Sequence, residues 1–260
     1  MKRGIELYSR KEIERIRRAC QVVAEVLQAV AENIKPGITA WDIERIAREE
    51  AKKRGAKPAF LNYKPPFSNV RYPAATCVSI NEEVVHGLPK KERIIEEGDL
   101  VSVDFGAIID GYAGDSAITV AVGDIDPEKK RLMEATKRAL ERAVEKASPG
   151  NWLSDIVEAI HSTAEEYGVF PVLRYGGHGI GKRVHEEPFI PNNRKDLGKK
   201  NIKLRQGMVI AIEPMFSLGT EETVHDGDGW TVKTADNSPS AHFEHTVAIT
   251  KEGPVVLTEI

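Results

Sequence analysis

Cysteine is scarce in this chain: 260 residues hold only Cys20 and Cys77. Two thiols this far apart build neither a disulfide framework nor a Cys-x-x-Cys zinc clip, so a reducing, cytoplasmic setting is the expectation. No apolar run is long enough to span a bilayer. The start, Met1-Lys2-Arg3-Gly4-Ile5-Glu6, is basic but has no apolar segment behind it, which argues against a secretory signal. A dominant charge is lacking too. Lys and Arg number 37 against 40 Asp and Glu, a formal net charge of −3, which offers no basic footprint for a nucleic acid. What is present is globular material, 41% apolar and 30% charged, in a 28.8 kDa chain long enough to bury a substantial core.

Two carboxylates then draw the eye. Asp104 closes the apolar run Leu100-Val101-Ser102-Val103, and Asp115 opens Ala117-Ile118-Thr119-Val120. The Asp110-Gly111 dipeptide between them predicts a hairpin. Carboxylates on buried strands cost free energy unless paired, hydrogen-bonded or bound to a cation. Taken alone, the pair fits a turn cap with a structural salt bridge better than a metal site.

The chain also repeats its own plan. Ser9-x-x-Glu12 is a capping box opening a helix whose Ile13, Ile16, Val23, Leu27 and Val30 share a face, and Pro36-Gly37 stops it. Thr39-x-x-Asp42 opens a second helix, through Ile43, Ile46, Ala47 and Ala51, that ends at Gly55. Later, Leu140, Ala143 and Val144 lie on a helix ended by Pro149-Gly150, and Asp155-Ile156 follows Gly150 at the spacing by which Asp42-Ile43 follows Gly37. Gly168 answers Gly55. The strands match as well: Gly98-Asp-Leu-Val-Ser-Val-Asp104 parallels Gly207-Met-Val-Ile-Ala-Ile-Glu213, and Asp115-Ser-Ala-Ile-Thr-Val parallels Glu244-His-Thr-Val-Ala-Ile. A helix pair followed by strands, used twice, predicts an α+β fold with antiparallel sheet covered by helices. If a pseudo-two-fold relates the halves, Asp104 and Asp115 face Glu213 and Glu244. Four carboxylates in one place need protons or cations, and a pair of divalent metals is the economical answer.

Gly176-Gly-His178-Gly-Ile-Gly181 adds an imidazole in a Gly-rich loop, which lacks the lysine and hydroxyl of a phosphate loop. Alone, such a histidine is more often a turn residue. Beside four acids, His178 becomes the natural fifth ligand. His86-Gly-Leu-Pro89 and His185-Glu-Glu-Pro188 form a second pair, suited to hydrogen-bonding a substrate from opposite sides. His161, His225, His242 and His245 have no such support: His161 reads as a helix-surface residue, and His245 should point away from Glu244. Phe60, Tyr63, Tyr72, Cys77, Val184 and Trp230 are candidates for a pocket, with ordinary core packing as an equal alternative. The Arg15, Arg17, Arg18 cluster reads as a solvated helix face.

At these residues the chain resembles the methionine aminopeptidases, nearly end to end and in the bacterial type I form. The resemblance rests on Asn81-Glu-Glu-Val-Val-His86-Gly-Leu-Pro89, Val101-Ser-Val-Asp104-Phe-Gly, Gly114-Asp115-Ser116, Gly177-His178-Gly179-Ile180-Gly181, His185-Glu-Glu-Pro188, Ile212-Glu213-Pro214-Met215 and Phe243-Glu244-His245-Thr246. The type II insertion between the histidine and the following glutamate motif is absent, and so is a Cys/His-rich N-terminal extension. The resemblance implies the pita-bread (creatinase/aminopeptidase) fold: one peptidase domain over 1–260, with halves roughly 8–125 and 126–260. It implies removal of the initiator methionine from nascent proteins whose second residue is small. Asp104 would hold one metal, His178 and Glu213 the other, and Asp115 and Glu244 would bridge both. The metals would be Co, Mn, Fe or Zn, carrying a hydroxide that attacks the first peptide carbonyl. Glu213 would shuttle the proton, His185 would steady the oxyanion, and His86 would position the scissile amide. Phe60, Tyr63, Tyr72, Cys77, Val184 and Trp230 would frame the methionine pocket. Nascent N-termini would be the partner, with ribosome association, no specific nucleic acid, no membrane and a monomeric state.

Two departures from the family pattern concern the pocket. Lys64-Pro-Pro-Phe-Ser-Asn-Val-Arg71 adds several residues between Tyr63 and Tyr72, so Phe67 competes for the pocket mouth, and Val184 stands where an aromatic is common. Two rivals remain at this point. A proline-directed relative, prolidase or X-Pro aminopeptidase, usually carries an acidic residue where this chain has His245. A catalytically dead module that binds protein or RNA would have lost ligands and gained basic patches.

Overall fold

The computed structural model describes residues 4–65, 70–198 and 201–259. Phe67 lies outside the described residues. Both capping boxes form. The Ser9 hydroxyl accepts from Glu12 N while the Glu12 carboxylate accepts from Ser9 N at 3.0 Å, opening α1 (Arg10–Asn33). Thr39 and Asp42 do the same for α2 (Ala40–Lys53), at 2.9 and 3.2 Å. Satisfying these otherwise orphaned N–H groups fixes where each helix starts. Arg15 and Arg18 lie on the exposed side of α1.

The two helices cover a four-stranded antiparallel sheet. Its central strand, Leu100–Ile109, pairs with Thr76–Ile80 and Lys57–Pro58 on one edge and Tyr112–Ala121 on the other. Asp110 (φ +49) and Gly111 (φ +80) both sit in the left-handed region, as a two-residue turn matched to strand twist requires. Alternation along the strand then divides its labour. Val101, Val103 and Phe105 pack against Val23, Val26, Leu27 and Ile43 of the helices. Ser102, Asp104 and Gly106 point to the other side, opposite Thr119, Ala117 and Asp115.

A second unit follows the same plan. Asp126 accepts from Lys129 N at 2.8 Å to open α3 (Pro127–Lys146), and Gly168 at φ +63 ends α4 (Leu153–Tyr167). They cover a five-stranded antiparallel sheet in the order Gly253–Val256, His245–Thr250, Val209–Ile212, Gly176–Gly179, Glu186–Pro191. The Gly-rich stretch around His178 is therefore a strand, where the sequence suggested a loop. A Cβ at Gly177 would come within 2.1 Å of Ala211 O, so only glycine lets the two strands approach this closely. His161 corrects a second expectation: it is buried, and its Nδ1 accepts from Arg194 N at 3.3 Å.

The units meet at corresponding strands. Glu244 N donates to Ala117 O at 2.9 Å, Thr246 Oγ1 donates to Asp115 O at 2.7 Å, and the Ser116 hydroxyl donates to Glu244 O. On the other side of the Asp115 strand, α1 crosses at Gly114, where a Cβ would lie 2.6 Å from Cys20 N. Gly114→Ala is expected to destabilise the protein by about 1–3 kcal/mol, the usual cost of overpacking. Urea unfolding with an unchanged midpoint would show that α1 can move aside freely.

Candidate metal centre

The strand alternation and the seam place the five acid and imidazole candidates together. Asp104, Asp115, His178, Glu213 and Glu244 line one cavity of about 690 Å³. Asp104 and Asp115 come from adjacent strands of the first sheet, diagonal to one another, and Gly106 leaves room for the Asp115 carboxylate. Glu213 follows the strand Val209–Ile212, and Glu244 precedes His245–Thr250, which pairs with it. His178 Nε2 lies 3.5 Å from Glu213 Oε1 and 3.8 Å from Asp115 Oδ2.

The histidine is presented as a donor of electrons. His178 Nδ1 lies 3.0 Å from Gly179 O, which in the neutral ring puts the proton on Nδ1 and leaves the Nε2 lone pair facing the acids. That outer hydrogen bond is the usual way a metal-binding imidazole is oriented. Asp115, His178 and Glu244 each offer one atom within 4.8 Å of the others.

Burial makes this arrangement unfavourable as a bare cluster of charges. Desolvation pushes Asp104 and Glu213 up to about 7, and His242 and His178 respectively oppose the rise. Asp115 and Glu244 are raised well above the usual carboxylate range, first by desolvation and then by their acidic neighbours. Asp104 Oδ1, Asp115 Oδ1 and Glu244 Oε1 are buried without a hydrogen-bond partner. Orphaned anionic oxygens beside an imidazole lone pair fit divalent cations, which favour oxygen and imidazole ligands in such sites.

The remaining candidates surround this centre. His86 (φ +59) takes a left-handed conformation that only a constrained loop retains, and its ring lines the cavity. Desolvation pushes it down to about 4. His185 stands across from it, its ring 4.5 Å from that of His178 and 5.0 Å from that of Tyr63. Although open to the cavity, it is held well below the ordinary imidazole range by enclosure and then by the His178 and His86 rings. His86 is therefore neutral near pH 7. Phe60, Tyr63, Tyr72, Cys77 and Trp230 form one wall, with Tyr72 and Trp230 edge to face at 5.1 Å. Val184 does not reach it. Its short side chain is buried in the apolar cluster behind, with Phe60, Tyr72 and Cys77.

Two residues that the structure places at or behind the site carry no role in the sequence reading, His242 being set aside there and Glu44 not singled out. His242, 1% exposed, brings Nε2 to 3.6 Å from Glu213 Oε2. The available signal was its place two residues before Glu244, on the same face of an extended segment. Glu44, fully buried on α2, accepts from Ala75 N and Thr76 N at 2.8 Å and from Thr76 Oγ1 at 2.6 Å. It thereby fixes the start of the strand that carries Cys77. His225 is exposed, and His245 turns away from the acids to Thr258 Oγ1 at 2.8 Å.

Protons and cations compete for the same oxygens, so loading the metal-free protein is expected to release protons. With Asp104 and Glu213 titrating near 7, the native metal-free state holds these protons at pH 6 and gives them up as pH rises. Calorimetry of Mn(II) binding in buffers of different ionisation enthalpy reads this directly. Release should be large at pH 6 and fall as pH rises, first as Asp104 and Glu213 lose their protons and later as the strongly raised Asp115 and Glu244 do. Release independent of pH would refute the raised values.

Comparison with known proteins accords with this geometry. A model of metallopeptidase family M24 matches residues 14–251. The methionine aminopeptidase of Aquifex aeolicus is 72% identical over 257 residues, covering 99% of this chain and 100% of that one. Methionine aminopeptidase 1 of Bacillus subtilis is 40% identical, over 96% of this chain and 97% of the other. The crystal structure of methionine aminopeptidase from Thermotoga maritima superposes with a TM-score of 0.93 at 44% identity, covering 99% of this chain and 100% of that chain. Prolidase from Pyrococcus furiosus shares the pita-bread fold less closely, with a TM-score of 0.78 at 27% identity, over 98% of this chain and 65% of that chain. The chain belongs to metallopeptidase family M24 and, within that family, to the methionine aminopeptidases.

Proposed function

We propose that this protein removes the N-terminal methionine from polypeptides with two divalent cations held by Asp104, Asp115, His178, Glu213 and Glu244. The observation that carries the reading is the convergence of three buried carboxylates, the half-buried Asp104 and one oriented imidazole on one cavity. Asp104, Asp115, His178, Glu213 and Glu244 would together hold the cations. When bound, the cations supply Lewis acidity toward a water and the scissile carbonyl. Their identity is open among Fe, Mn, Co and Zn, all of which accept these donors.

The chain's own groups do the rest. The Glu213 carboxylate takes a proton from the attacking water and passes it to the amine nitrogen as the C–N bond breaks. Methionine leaves with a new carboxylate, and the shortened chain leaves with a free amine. His185 donates an N–H to the carbonyl oxygen as charge develops there, and His86 holds the scissile amide from the opposite side. The wall of Phe60, Tyr63, Tyr72, Cys77 and Trp230 suits an unbranched thioether. A small second residue is the fitting substrate, presented by nascent chains in the cytoplasm, near the ribosome, to a monomeric enzyme. Both cysteines are unpaired and buried, as a reducing setting permits, and among the described residues no helix is long and apolar enough to cross a membrane.

Anaerobically purified protein should cleave a Met-Ala-Ser peptide and leave an Ala-Pro peptide intact. Chelation should abolish turnover, and added divalent metal should restore it; activity that survives exhaustive chelation would end the metal reading. Glu213→Gln should lower kcat by about 100-fold or more, the scale of a lost proton shuttle. Full turnover in that variant would remove Glu213 from the role. Trp230→Ala should raise KM on the order of tenfold with a smaller change in kcat, since it removes apolar contact from the side-chain pocket.

A further inference from the structure

The two oxygens of Glu213 face two different imidazoles: Oε1 lies 3.5 Å from His178 Nε2, and Oε2 lies 3.6 Å from His242 Nε2. The two rings present different chemistry. In neutral His178 the proton is on Nδ1, so its Nε2 offers only a lone pair and needs a cation between itself and Oε1. His242 Nε2 is buried and has no hydrogen-bond partner. An orphaned ring nitrogen this deep is costly unless something completes it, and the nearest anionic group is Glu213.

The backbone of His242 is anchored on two sides. Thr119 Oγ1 accepts from His242 N at 2.9 Å and donates to His242 O at 2.7 Å, and Ser102 Oγ supports Thr119 at 2.8 Å. Ser102 and Thr119 come from the strands of Asp104 and Asp115, while His242 pairs with Met215, two residues after Glu213. Nothing in the assigned chemistry uses this anchoring. We propose that His242 is a positioning residue of the metal centre: its Nε2–H donates to Glu213 Oε2, so that Oε1 is committed to the cation on the His178 side and Oε2 stays oriented for proton transfer. The proposal rests on the reading of His178 and Glu213 as cation ligands. Carboxylate ligands are commonly fixed by such outer hydrogen bonds.

The test compares wild type with His242→Leu and His242→Gln, using Co(II) as the probe. His242→Leu should weaken Co(II) binding by about 10- to 100-fold in calorimetry, the usual effect of losing an outer donor. It should also alter the cobalt d–d spectrum and lower kcat with little change in KM. His242→Gln keeps an N–H donor and should recover most of the affinity and the wild-type spectrum. A folded His242→Leu that binds Co(II) like wild type would overturn the proposal. X-ray absorption of the wild-type Co(II) enzyme decides the matter without any variant. One imidazole per metal centre supports an outer donor, whereas two would make His242 a direct ligand and overturn it. Wild-type protein that fails to bind Co(II) would instead refute the metal reading on which the proposal stands.

Discussion

Four carboxylates share a space from which water is largely excluded, and their mutual repulsion governs the rest of the architecture. Desolvation alone disfavours each charge, and the neighbours add to it. Among the described residues no lysine or arginine is paired with the four acids; the basic groups within 4 Å of them are the His178 and His242 rings. The protein thus presents donor atoms in excess of what its own cations could satisfy, an arrangement favourable when divalent metal supplies the missing charge. A fold selected only for stability would replace such a cluster with apolar packing.

Holding the acids against that repulsion takes rigid elements on every side. The Asp104 and Asp115 strands are joined by a two-residue turn and backed by α1 and α2. Glu213 and Glu244 sit at the ends of paired strands backed by α3 and α4. Hydroxyls rather than charges stitch the seam, through Ser116, Thr119 and Thr246. A hydroxyl can donate and accept at once, so it satisfies backbone on the opposite strand without adding to the local charge.

Much of this was legible in the sequence because its causes are local. Capping boxes, the Asp110-Gly111 turn and the twice-used order of helices and strands predicted the elements, and the matched acids predicted where the halves would meet. The misreadings had non-local causes. Glycines around His178 suggested a loop, yet they serve the close approach of neighbouring strands, which only three dimensions reveal. His161 looked like surface because its partner, the backbone of Arg194, lies 33 residues away. Val184 stands where the resembled family builds its pocket, but here it follows the core-packing alternative, clustered with Phe60, Tyr72 and Cys77 and off the cavity lining. His242 was set aside because it lacked a counterpart in the first half, where Ala113 holds the matching place two residues before Asp115.

The hydrogen bonds between Thr246 and Asp115 join residues 131 positions apart. During synthesis the first hairpin, with Asp104 and Asp115, leaves the ribosome long before Glu213 and Glu244 exist to meet it. At that stage the growing chain carries two of the five proposed metal-binding side chains and none of the seam that aligns them. With the proposed ligand set, the metal centre is complete only once the final part of the chain has docked.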